Sequence, residues 1–298
     1  MTLGSAPDRL LVDVPGHPGA TLRVEVHSPQ APVTALFSSG IGLPLDLWHP
    51  VTRLLPDVRC VLVDRPGMGG STPWHHVVGL RDEMRLLSTV LDACVPDAVD
   101  DPVVLVGHSH GGLFCEGLAR TRPEVVRGLV LVDASDPRFE AERPQLGGRP
   151  AAWAASVAAQ PWLAPLVKDV AAAAVAVGGT ARPAPDEARA ALTTAYGQPD
   201  QLVATVAELA AVRDDARALV ALTATHPLPG IPVRLVVATR SGRPLCLRRR
   251  SWLRRMTARA AELGPGTVRT DVDAGHLVML DAPDAVARAV RSCLSPGG

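Results

Sequence analysis

Apolar positions along the chain fall into short, nearly unbroken runs separated by stretches of helical periodicity. VTALFS (33–38), RCVLVD (59–64), PVVLVG (102–107) and GLVLVD (128–133) are such runs, and continuous β-branched segments of this kind suit strands buried on both faces. LLVDV (10–14) and TLRVEVH (21–27) instead alternate, as an antiparallel opening pair would. Between the runs, residues 79–94 place Leu80, Met84, Leu87 and Leu91 along one helical face. From about 138 to 226 strand signals vanish; Ala dominates, with Pro and Gly dividing the segment into short helical pieces. Strand grammar returns in IPVRLVVAT (231–239), followed by a helix over 251–263, a strand over 267–272 and a final helix over 281–294. Pro283 and Asp284 suit that last helix's first turn, where a missing N–H is tolerated and a negative charge is favoured.

This alternation predicts an α/β fold with a mostly parallel eight-stranded sheet, helices on both faces and a helical lid insertion. The expected division is a core over 1–137, a lid over 138–226 and the rest of the core over 227–298. Composition narrows the partners. With 30 basic and 30 acidic residues the formal net charge is zero, which argues against nucleic acid, since phosphate binding needs a concentrated cationic excess. A small-molecule substrate is expected instead. No apolar stretch is long enough to span a membrane and the first residues lack a basic start with an apolar run, so no membrane partner and a cytoplasmic location are expected. Five scattered cysteines without C-x-x-C spacing suggest buried thiols rather than a disulfide framework. No cofactor and no metal is expected.

Gly107-His108-Ser109-His110-Gly111 matches G-x-S-x-G directly after a buried strand and before a helix. Such a turn leaves little room at its glycines, projects the serine Oγ away from the sheet and aims a helix N-terminus at the reacting centre. Four further segments strengthen the pattern: SSGIGLPLDLW (38–48), VDRPGMGGST (63–72), GLVLVDASDP (128–137) and VDAGHLVMLDAPDAV (272–286). Together they resemble the α/β-hydrolase fold family over nearly the whole chain.

That resemblance implies Ser109 as nucleophile, His276 as its general base, and the main-chain N–H groups of Ile41 and His110 as the oxyanion hole. A serine hydroxyl needs an imidazole to take its proton, which gives the pairing a chemical reason. The family often has His-Gly before the first of these donors, where this chain has Ser39-Gly40. His49, His75 and His76 are possible pocket residues, with a surface role as the plainer reading.

The third member departs from the family's usual pattern. Gly242 stands where an Asp is expected after the seventh strand, and no carboxylate occurs from 231 to 261. The alternative place within the family is the end of the sixth strand, which Asp133 matches; Asp136 is the second candidate, and a missing acid is the third possibility. Asp271 and Asp273 lie too close to His276 along a tight loop to reach its far nitrogen. Asp64 and Arg65 read as an ion-paired turn support.

Serine at the elbow points to acyl transfer on an ester, thioester, lactone or amide, rather than to the chemistries that need a carboxylate nucleophile. The lid's large members, Trp153, Trp162 and Tyr196, would meet a hydrophobic substrate, or merely pack the lid. Arg240, Arg243, Arg248, Arg249, Arg250, Arg254 and Arg255 would either meet an anionic carrier or form a solvated helix face. The absent acid at 242 keeps open a non-catalytic ligand-binding protein, and a cofactorless peroxidase or lyase on the same triad is a further alternative.

Overall fold

The computed structural model describes residues 6–74, 78–144, 153, 156–240 and 246–294. Eight strands form one sheet: β1 (Asp8–Asp13), β2 (Thr21–His27), β3 (Val33–Ser38), β4 (Val58–Val63), β5 (Val103–His108), β6 (Val126–Val132), β7 (Val233–Ala238) and β8 (Thr267–Val272). Their order is β1-β2-β4-β3-β5-β6-β7-β8. β1 and β2 pair antiparallel, as do β2 and β4, and every later pairing is parallel. The unbroken apolar runs are the central strands: every residue of β5 and β7 is buried. The alternating run at the start is an edge strand with one buried position.

Burial on both faces explains the helices. α1 (His49–Thr52), α2 (Leu80–Cys94), α3 (Gly111–Thr121), α8 (Cys246–Leu263), α9 (Val278–Asp281) and α10 (Pro283–Leu294) accompany the core strands, whereas α4 (Pro137–Ala141), α5 (Leu163–Gly179), α6 (Asp186–Tyr196) and α7 (Pro199–Thr225) fall between β6 and β7. One apolar cluster gathers Leu36, Leu87, Leu105, Phe114 and Leu131; the other gathers Phe37, Trp48, Val104, Val130 and Val286. Each such fully buried aliphatic side chain stabilises the fold by about 1.5–3 kcal/mol relative to exposure.

The expectation of short helical pieces fails at α7, which runs unbroken for 27 residues. The reason is local: after Pro199, itself suited to a first helical turn, the segment contains no Gly or Pro.

Chain order reverses between β3 and β5, which sit side by side while their successors run outward in opposite directions. At such a switch point the loops leaving the two strands diverge and open a crevice beyond the strands' carboxyl ends. Residues 39–44 and the turn at Ser109 are those two loops.

Candidate active site

Ser109 sits in the turn from β5 into α3 with φ of 51°, a left-handed conformation that costs a non-glycine residue roughly 1–3 kcal/mol unless its surroundings enforce it. They do so here. Ser109 N–H donates to the Val132 carbonyl at 3.2 Å, and the Ser109 carbonyl accepts from Ser135 N–H at 2.9 Å, tying the turn to the end of β6. A Cβ on Gly107 would lie 2.5 Å from the Gly112 Cα, and one on Gly111 2.4 Å from the Ser39 carbonyl oxygen. Both glycines are therefore demanded by close backbone approach.

His276 lies in the loop after β8. Its Nε2 is 3.1 Å from Ser109 Oγ and its Nδ1 is 2.7 Å from Asp133 Oδ2. The matching tautomer donates Nδ1–H to the carboxylate and accepts the serine O–H at Nε2. Asp281 fixes the loop by accepting from Gly275 N–H at 2.7 Å and Ala181 N–H at 2.6 Å. From behind, His108 Nε2 donates to the His276 carbonyl at 2.9 Å. Burial and the neighbouring His276 push the His108 imidazole down to about 3, so it is neutral and its Nδ1 is a bare acceptor.

Asp133, at the end of β6, also has positive φ, 39°. Its carboxylate is buried and densely bonded. Ala238 N–H donates at 3.2 Å, Trp252 Nε1 at 3.3 Å, and Arg249 contributes Nη2 at 2.9 Å and Nη1 at 3.3 Å. Burial pushes the carboxyl upward, but the hydrogen bond and charge of His276, with Arg249 behind them, outweigh it and hold it below the ordinary range. Asp136, the other carboxylate considered from sequence, accepts instead from Phe139 N–H at 2.9 Å and Arg255 Nη2 at 2.8 Å.

On the other side of Ser109, residues 39–42 are held by a buried polar frame. Arg65 donates to the Ser39 and Gly40 carbonyls and pairs with Glu208 at 2.5 Å. Glu208 Oε2 accepts from Gly42 N–H at 3.0 Å, and Gln201 Nε2 donates to the Gly42 carbonyl at 2.8 Å. Trp48 Nε1 donates to Ser39 Oγ at 3.0 Å, so Ser39 supports the loop where the family often has His. Main-chain N–H groups of Ile41 and His110 have no acceptor among the described residues. The His110 side chain turns away to Asp215, 3.0 Å distant.

Above Ser109 the described residues line an open-mouthed cavity of about 360 Å³. Ile41, Phe139, Leu209, Val212 and Trp252 make its apolar wall, and Glu140, Arg143, Arg213 and Arg249 its polar part.

Several sequence expectations need correction. Trp153 and Trp162 are 71% and 62% exposed and do not line this cavity. Tyr196 is buried and is absent from the lining too; it packs at Gly42, where an added Cβ would come within 2.7 Å of its hydroxyl. An Ala-rich segment buries few residues, so Trp153 and Trp162 need not point inward. Asp64 and Arg65 are ion-paired supports as expected, though not of each other: Asp64 accepts from Arg23 at 2.9 Å and Leu45 N–H at 2.8 Å, whereas Arg65 takes Glu208.

The arginines of 240–255 are not simply a solvated face. Arg249 and Arg255 clamp Asp133 and Asp136, and Arg240 pairs with Asp273. His49 pairs with Glu25 rather than lining the cavity. His75, His76, Gly242, Arg243 and the Arg248 side chain lie outside the described residues.

Sequence reasoning missed Arg249 and Trp252 at the acid, and Gln201, Glu208 and Asp215 at the loop. Each set had a signal. Residues 249 and 252 share a helical face, and 201, 208 and 215 stand at two-turn intervals along one stripe of α7.

A model of the alpha/beta hydrolase family matches residues 35–289. Lipase LipV of Mycobacterium tuberculosis is 34% identical over 112 residues, covering 38% of this chain and 41% of that protein. A pimeloyl-[acyl-carrier protein] methyl ester esterase of Yersinia enterocolitica is 37% identical over 112 residues, covering 37% and 40%. The match thus spans about two fifths of the length of these curated relatives. A thermophilic esterase from Thermogutta terrifontis superposes with a TM-score of 0.67 at 20% identity, over 96% of this chain and 98% of that one; at that identity the likeness is one of fold.

Proposed function

The chain belongs to the alpha/beta hydrolase family, and on that premise we propose that it is an esterase-type serine hydrolase that works through an acyl-enzyme on Ser109. The observation that carries this reading is the unbroken line from the Asp133 carboxylate through the His276 ring to Ser109 Oγ, at 2.7 and 3.1 Å.

In the proposed reaction His276 Nε2 takes the serine proton as Oγ attacks the carbonyl carbon of an ester. Asp133 keeps the imidazole in the right tautomer and stabilises the imidazolium. Negative charge developing on the carbonyl oxygen is met by the N–H groups of Ile41 and His110, and such preorganised donors act most strongly where water is excluded. Collapse expels the alcohol, which takes the proton from His276. A water then gives its proton to the same nitrogen and attacks the acyl carbon, releasing the acid and restoring Ser109.

We read residues 138–226 as a cap over this cavity, since Leu209, Val212 and Arg213 come from α7. A volume of about 360 Å³ is at the small end of ligand pockets, so short acyl esters fit the reading best. The absence of a carboxylate at 242 is the reason to entertain a non-catalytic ligand-binding protein; a buried carboxylate 2.7 Å from the imidazole supports the catalytic reading instead.

A fluorophosphonate probe tests the assignment. Folded protein should be labelled once, at the peptide containing Ser109, and Ser109→Ala should abolish labelling. Absence of labelling in folded parent protein, or labelling that persists in Ser109→Ala, contradicts it.

A further inference from the structure

We propose that Glu25, His27 and His49 form a binding site for a divalent cation of borderline softness, Zn²⁺ in particular, separate from the cavity above Ser109. Glu25 and His27 lie on β2 and His49 opens α1, and no two of the three are neighbours in sequence. Their ligand atoms converge within 4.8 Å of one another. Glu25 Oε2 is 2.9 Å from His49 Nε2 and 3.5 Å from His27 Nε2. Ligands at about 2.0–2.1 Å from a tetrahedral zinc stand roughly 3.3 Å apart, so the two separations bracket the geometry the ion requires.

His49 Nε2 and Glu25 Oε2 share a hydrogen bond, and the surroundings of the cluster also suit a ligand set. His27 Nε2 is buried, and its contact with Glu25 Oε2 at 3.5 Å is too long for a good hydrogen bond; an imidazole nitrogen and a carboxylate so placed can share either a proton or a cation. The far nitrogen of each ring has a polar neighbour, Thr52 Oγ1 at 3.4 Å from His27 Nδ1 and Glu187 Oε1 at 3.7 Å from His49 Nδ1. The Thr52 hydroxyl, which gives its own proton to the His49 carbonyl, can accept Nδ1–H of His27 and so favours the tautomer that leaves its Nε2 free for metal, while Glu187 is an ion-pair neighbour of His49.

Glu25 is fully buried and its other oxygen, Oε1, takes Arg23 at 2.7 Å and Arg9 at 3.3 Å. Those two cations orient the carboxylate, and Asp46 and Asp64 on Arg23 offset its charge. Water would complete the coordination. Two imidazoles with one carboxylate suit zinc and related transition ions better than calcium or magnesium, which favour all-oxygen shells. A bound ion would cross-link β2 to the segment holding Trp48, whose indole supports Ser39.

The test uses the full chain, stripped with a chelator and titrated with Zn²⁺ against a chromophoric competitor. One equivalent should bind and raise the melting temperature. His27→Gln and His49→Gln should each weaken binding roughly tenfold or more, since even outer-sphere changes cost metal sites that much, and the rise in melting temperature should disappear. X-ray absorption of the loaded parent chain, which needs no variant to fold, should show two imidazoles and oxygen ligands. Absence of stoichiometric binding at micromolar Zn²⁺, affinity unchanged in both variants, or a thiolate shell would overturn the proposal.

Discussion

Asp133 and Asp136 stand three residues apart beyond the end of β6, both buried and both held by an arginine of α8, yet they meet different partners. Asp136 caps α4, accepting the Phe139 N–H. Loss of such a cap typically costs about 1 kcal/mol. Asp136→Ala should therefore lower the unfolding free energy from urea denaturation by about 1 kcal/mol or more, since its ion pair with Arg255 is lost too, with ester turnover close to parent; a collapse of turnover with unchanged stability would reverse the two assignments. Asp133 carries the opposite balance, because its carboxylate faces the imidazole. Positive φ at both Ser109 and Asp133 puts backbone strain into the turns that place these two side chains, and Ser28 is the third non-glycine residue in that conformation among the described residues.

At the scale of elements, α7 links the segment between β6 and β7 to the loop after β3. Its Glu208 neutralises the buried Arg65 that holds the Ser39 and Gly40 carbonyls. Glu208→Ala would remove the nearer partner of that buried cation and leave Glu83, 3.9 Å away, as its remaining carboxylate; breaking a buried pair costs up to about 3–5 kcal/mol. Chemical denaturation should register the loss, and a variant as stable as the parent would show the pair to be dispensable. Leu209, one residue further along, is 45% exposed at the cavity. In the proposed enzyme Leu209→Ala should raise KM for butyrate esters by about fourfold for each methylene of lost contact, while acetate esters change little. Equal effects on both would place Leu209 outside the acyl site.

The strands were legible because double burial leaves continuous apolar runs. The length of α7 was not, because an Ala-rich helix with a polar stripe and an apolar background shows little amphipathic contrast. Ser109 announced itself by motif and context. The clamp on Asp133 did not, because an arginine-rich helix looks solvated until the carboxylates that it meets, more than a hundred residues away in sequence, are known.

Across the whole molecule, the described residues contain no helix long and apolar enough to cross a membrane, and acid–base linkage shapes stability from inside the fold. Burial, together with Glu208 and Asp215 nearby, pushes the Glu83 carboxyl up to about 8 despite Arg65. A folded value above the unfolded one means that its contribution is intact at low pH and is lost as pH rises from about 4.5 through about 8. Glu83→Gln should flatten the fall in unfolding free energy between pH 5 and pH 8, and identical slopes in both proteins would show that Glu83 is not the group responsible.

The larger claim is that Asp133, His276 and Ser109 act as one catalytic unit. The measurement that reaches it most directly is turnover of a p-nitrophenyl ester by Asp133→Asn, with circular dichroism confirming an intact fold. An acid that sets tautomer and charge predicts a loss of about 10⁴-fold in kcat. Turnover within a few-fold of the parent would contradict the assignment of Asp133 and, with it, the proposed mechanism.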